Sequence, residues 1–163
     1  MKRSFFYLLA APVLLLLQSS LFSYFEIADI VPNLLVILTA STATIEGSLD
    51  GCLVGFYCGI LLDLAYGPVL GMHALGFLLI GYCAGITNRM FYREDITFPL
   101  LIIAGSDLAY GLYMFLAGFL IRGRMNFGSY LVRIILPEIV YTVIIAVFLY
   151  RVVLFFLSRL KKK

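Results

Sequence analysis

Charge is nearly absent from long stretches of this chain. No Asp, Glu, Lys or Arg stands between Arg3 and Glu26, and none between Asp63 and Arg89. A helix that crosses a bilayer needs about 20 predominantly apolar residues, and the chain offers one such run after another. Hydrophobic residues make up 63% of it and charged residues 13%, with a mean hydropathy of +1.07. Soluble domains usually carry about 45–50% apolar and about 25% charged residues. These proportions exclude a soluble globular domain, a disordered chain, a DNA-binding module and a disulfide-stapled secreted domain. The reading left is an all-α polytopic membrane protein. Its 163 residues allow at most about six or seven spans, and no domain outside the bilayer.

The apolar runs place spans at about 5–25, 31–48, 51–66, 72–90, 96–121 and 137–156, a compact bundle of six helices in a single domain, 1–163. Lys2-Arg3 ahead of the first run also resembles a secretory signal. The run is longer than an h-region and no A-x-A site follows, so an uncleaved helix is expected. Pro12 lies inside it, where membrane helices tolerate proline. Pro32 is expected in the first turn of the second helix. Thr39, Ser41, Thr42 and Thr44 are expected to bond to their own backbone or across to neighbours.

Basic residues at Lys2, Arg3, Arg89, Arg93, Arg159, Lys161, Lys162 and Lys163 point to cytoplasmic termini and a cytoplasmic fourth-to-fifth loop. Arg122, Arg124 and Arg133 then fall outside. The turn at Glu46–Asp50 should be cytoplasmic but holds no basic residue, so its orientation is open. The basic tail is expected to meet anionic lipid; nucleic acid is not expected, since no basic face accompanies it. Cys52, Cys58 and Cys83 have no CxxC spacing and read as buried small apolar residues.

Glycine recurs every fourth residue at Gly47, Gly51, Gly55 and Gly59, and Asp63 and Gly67 continue the series. Such small-xxx-small spacing lets another backbone approach closely. The neighbour is either a helix of this chain or one from a partner. Asp63 is an ionisable group in an apolar span and needs partners. It is placed to cap the turn around Gly67–Gly71. A relay role would need a second titratable group, for which Asp107 and His73 are the candidates. Glu138 follows Pro137 at an expected helix start, where a negative charge suits the macrodipole. No G-x-S-x-G, H-E-x-x-H or Walker pattern is present. Neither catalysis, a metal nor a cofactor is expected.

The run from Gly55 to Leu75, GFYCGILLDLAYGPVLGMHAL, resembles the central signature of the MreD family of bacterial rod shape-determining proteins, roughly G-F-x-x-G-x-x-x-D-x-x-x-G-x-x-L-G-x-x-A-L. Pro32–Leu38, PNLLVIL, resembles the opening of that family's second helix. The acidic turn at Glu46 and Asp50 departs from the family, where it is often basic. The resemblance implies a multi-pass protein of the bacterial inner membrane, a non-enzymatic scaffold of the cell-elongation complex. It implies docking of the bitopic protein MreC. Through MreC it implies a connection of MreB filaments with a SEDS glycosyltransferase and a class B transpeptidase. It also implies a bundle like the substrate-binding subunits of energy-coupling vitamin transporters. On this reading Gly51, Gly55, Gly59 and Asp63 would form the face for the MreC span. Arg122, Arg124, Met125, Phe127 and Tyr130 would meet lipid headgroups or the partner's juxtamembrane region. The competing reading is a small-solute binding or transport subunit with a chamber lined by Asp63, His73 and Asp107.

Overall fold

The computed structural model describes residues 2–20, 24, 31–67, 69–90, 96–123 and 126–161. The elements are α1 Lys2–Ser20, α2 Leu34–Glu46, α3 Ser48–Tyr66, α4 Met72–Ile86, α5 Thr97–Arg122, the short α6 Phe127–Tyr130 and α7 Leu136–Lys161. There is no strand among the described residues. Apart from the four-residue α6, the α-helices among the described residues number six. Ser48–Tyr66, Thr97–Leu120 and Phe127–Phe156 are long and apolar enough to cross a membrane. Phe6–Ser20 and Leu34–Glu46 are apolar but shorter.

Helix α2 is the axis of the bundle. It packs against α1, α3, α4, α5 and α7, and every residue from Leu34 to Ile45 is buried. Its 13 residues rise only about 20 Å, less than the roughly 30 Å hydrocarbon core, so it is an internal pillar and not a lipid-facing span. It begins later than expected. Pro32 precedes the cap residue Asn33, whose Oδ1 accepts from the Val36 N–H at 3.2 Å. Two other helices complete this end. The Leu34 N–H donates to Gln18 Oε1 (3.1 Å) from α1. The Asn33 N–H donates to Thr142 Oγ1 (3.1 Å) from α7. Buried donors at a helix start need such acceptors. Of the α2 hydroxyls, Thr44 donates to the Ala40 and Ser41 carbonyls, each at 3.0 Å.

The connection from α2 to α3 is a single residue, Gly47, at φ 112° and ψ −179°. That conformation is almost closed to other residues. The expected turn is therefore shorter than the sequence reading had it. Glu46 ends α2, and Asp50 lies in the first turn of α3, where its charge complements the helix dipole.

Among the described residues three prolines lie within helices: Pro99 sits in the first turn of α5, where its missing N–H leaves nothing unpaired, and Pro12 and Pro137 have local compensation. Pro12 has no N–H for the Leu8 carbonyl, and that carbonyl accepts from the Tyr57 hydroxyl of α3 at 3.2 Å. Pro137 corrects the reading of the last segment. It does not open a helix; helical structure runs unbroken from Phe127 through a π segment, Leu131–Ile135, into α7. The Leu136 N–H reaches back five residues to the Leu131 carbonyl. A wider turn just ahead of a residue that cannot donate keeps the chain helical. The expected polar connection over Arg122–Arg133 shrinks accordingly. Glu138 sits inside a continuous helical run, so the macrodipole account of it does not hold.

The core joins Ala11 of α1, Leu35 and Ile37 of α2, Cys58 of α3, Phe77 of α4, Ile103 of α5 and Ala146 and Tyr150 of α7. Leu49, Leu53, Leu64, Leu120 and Phe148 point outward, the pattern of a bundle whose solvent is lipid.

Candidate functional site

The four-residue glycine series of α3 meets α4 of the same chain. A Cβ on Gly51 would stand 2.5 Å from Ala43 Cβ and 2.7 Å from the Gly81 carbonyl oxygen. On Gly55 it would overlap the Phe77 carbonyl and lie 2.9 Å from Thr39 Cγ2. On Gly59 it would overlap the Ala74 backbone. Each step forward along α3 is matched by a step back along α4, and Gly85 closes against Ser48. The two helices form an antiparallel seam of backbone on backbone. The expected docking face at Gly51, Gly55 and Gly59 is thus corrected: this chain's own α4 covers it. Gly81 and Gly85 were missed, although their spacing repeats the same signal.

Asp63, at the far end of the seam, is 4% exposed. Its Oδ2 accepts from the N–H groups of Gly71 (2.9 Å) and Ala74 (3.0 Å), and its Oδ1 from that of His73 (2.9 Å). The first residues of α4 have orphan donors, and their cap residue Gly71 has no side chain to offer. A carboxylate from the preceding helix fills that role with charge-assisted bonds that also suit the helix dipole. Asp63 is a long-range cap, reaching slightly further along than the Gly67–Gly71 turn expected from sequence.

His73 turns its ring the other way. Its Nδ1 lies 2.6 Å from the Tyr110 hydroxyl on α5, and Tyr110 packs edge-on against Phe77. Tyr113, one turn further along α5, donates to the Met72 carbonyl at 2.9 Å. Asp107, one turn before Tyr110, is 3% exposed. Neither of its carboxylate oxygens has a hydrogen-bond partner among the described residues. Glu138 lies in the first turn of α7, and the helical structure ahead of it, back to Phe127, is what the sequence reading missed. Asp63 thus holds the His73 backbone and the His73 ring meets Tyr110, while Asp107 stands one turn before Tyr110 on α5 without a hydrogen bond to any of them.

A groove of about 370 Å³ opens between α4 and α5. Gly76, Cys83 and Ala84 form one wall; Gly105, Ser106 and Ala109 form the other. A Cβ on Gly105 would meet nothing within 4 Å. Asp63, His73 and Asp107 do not line this groove. Its cysteine is exposed, and Cys58 alone of the three cysteines is fully buried, against the expectation for Cys52 and Cys83. Phe127 and Tyr130 pack their rings on Phe115 of α5, with centroids 5.2 and 5.3 Å away. The side chains of Arg122, Arg124 and Met125 lie outside the described residues, as do residues 91–95 of the charged loop. No group of three or more candidate metal ligands occurs among the described residues.

A family model described as rod shape-determining protein MreD matches residues 2–160. The chain belongs to the MreD family. No curated protein and no solved structure matches it, so the likeness to vitamin-transporter subunits is without support. Membership in the MreD family brings a role in rod-shape determination, association with the rod-shape complex and a place in a membrane. MreD is a shape-determining family and not a known enzyme family.

Proposed function

We propose that this chain is a non-catalytic adaptor of the rod complex in the inner membrane, with both termini cytoplasmic, and that it docks the single span of MreC in the groove between α4 and α5. The observation that carries this reading is the groove itself. It is apolar, it lies between two adjacent helices, and small residues on both walls alternate with Leu79, Ile80, Leu101 and Ile102, with open space above Gly105. Helices associate in lipid where small residues let backbones approach and van der Waals packing improve. The α3 seam has the same chemistry but is already filled by α4, whereas the α4–α5 face is open. Phe127 and Tyr130, held on α5 by Phe115, stand beside the same helix near its end and would meet the partner's juxtamembrane residues. MreC would carry the connection onward to MreB filaments, the SEDS glycosyltransferase and the class B transpeptidase.

Gly105→Leu tests this directly. The new side chain enters open space, so the bundle should fold as before while the groove is filled. Recovery of MreC with the tagged, detergent-extracted chain is expected to fall about tenfold or more, equivalent to roughly 1.4 kcal/mol of lost affinity. Equal recovery of MreC by both variants would remove this groove from the interface.

A further inference from the structure

We propose that Ser106 is the polar anchor of the α4–α5 groove, and that the helix docked there carries a hydroxyl or carboxamide side chain (Ser, Thr, Asn or Gln) opposite it. This rests on the docking reading above and adds the chemistry by which the docked span is selected. Ser106 is 8% exposed and lines the groove. It makes no hydrogen bond among the described residues. Several other hydroxyls are satisfied by their own helix. Thr44 donates to the Ala40 and Ser41 carbonyls, each at 3.0 Å, Thr87 to the Ala84 carbonyl at 2.6 Å and Ser158 to the Phe155 carbonyl at 2.9 Å. Ser41 and Thr42 of α2 also lack partners, but they are wholly enclosed and out of reach of a second chain. The Ser106 side chain instead opens on the groove.

Its place along α5 limits what can serve it. Ile102, Ser106, Ala109 and Tyr113 follow at three- and four-residue steps along one wall. Ser106 lies about 14 Å along the helix from Thr97, well inside the membrane-crossing stretch Thr97–Leu120. Bulk water does not reach that depth, and an unsatisfied polar group in hydrocarbon is costly. The Thr87 and Tyr113 hydroxyls of the same lining already donate to the Ala84 and Met72 carbonyls of α4. An acyl chain lying in the groove would leave Ser106 unpaired. A helix carrying a side chain that can both donate and accept would not, and such groups do bond across helices in membranes. The serine hydroxyl stands on a short side chain, so only a closely packed helix can reach it. Gly105 and Ala109 beside it permit that approach.

The test uses the full chain and MreC in lipid nanodiscs. Ser106→Ala should weaken their association about threefold or more, with the melt of the chain alone unchanged. Each Ser, Thr, Asn or Gln of the MreC span is then replaced by Ala in turn. One of these replacements should add nothing further in the Ser106→Ala background. Cysteines placed singly along the MreC span should crosslink to Cys83, which is exposed in the same groove, and a subset should do so in both the wild type and Ser106→Ala. Unchanged affinity in Ser106→Ala with these crosslinks retained would overturn the anchor and leave the docking reading standing. Affinity lost in Ser106→Ala without coupling to any of the replaced side chains would overturn the chemistry assigned to the docked helix. Absence of a Cys83 crosslink from every position would overturn the docking reading and this proposal with it.

Discussion

Gly55→Leu is expected to cost the protein its fold. The first added carbon would already overlap the Phe77 carbonyl and press on Thr39 Cγ2. Overpacking in a core typically costs about 1–3 kcal/mol when side chains can shift. Here the obstacle is α4 backbone, which moves only if the whole seam opens. The cost should therefore exceed that range, and the variant should elute as aggregate or fail to accumulate in the membrane. Gly55→Ala should already lower the melting temperature, because the clash begins at Cβ. Gly105→Leu is the matched control, adding the same side chain where nothing stands within 4 Å. Size-exclusion profiles and thermal melts of the three variants in one detergent make the comparison. Normal elution and an unchanged melt for Gly55→Leu would mean that α3 and α4 do not meet at this seam.

Asp63→Ala should be nearly as damaging for a different reason. It strands the N–H groups of Gly71, His73 and Ala74. An unsatisfied buried polar group costs about 1–3 kcal/mol, so the total should reach at least about 3 kcal/mol. Asp63→Asn keeps one oxygen as an acceptor but turns an NH₂ group toward the remaining donors, and its loss should be intermediate. Hydrogen exchange at residues 71–74 should accelerate in the same order, wild type slowest and alanine fastest. Protection in Asp63→Ala equal to that of the wild type would show that the start of α4 does not depend on this carboxylate.

Much of this was readable from residues alone. The apolar runs gave the helices, and the step from Gly47 to Gly59 announced a close backbone approach. Asp63 beside Gly67 announced a cap. The identity of the glycines' neighbour was not readable, because a small-residue row looks the same whether α4 or a foreign helix lies on it. Gly81 and Gly85 held the clue, as a second row at the same spacing. The π segment was hidden because Pro137 reads as a helix opener unless the turn before it widens. Glu138 therefore looked like a terminal charge, although helical structure continues ahead of it to Phe127. Gly105 carries no motif; its openness depends on how α4 and α5 diverge, which only the packed bundle determines.

The one-residue joint at Gly47 ties the central pillar to the helix that follows it. With φ 112° and ψ −179°, and no further residue to take up strain, α2 and α3 act as a single rigid elbow, and neither can shift along its axis without moving the other. An epitope or cleavage site spliced at this position would uncouple them.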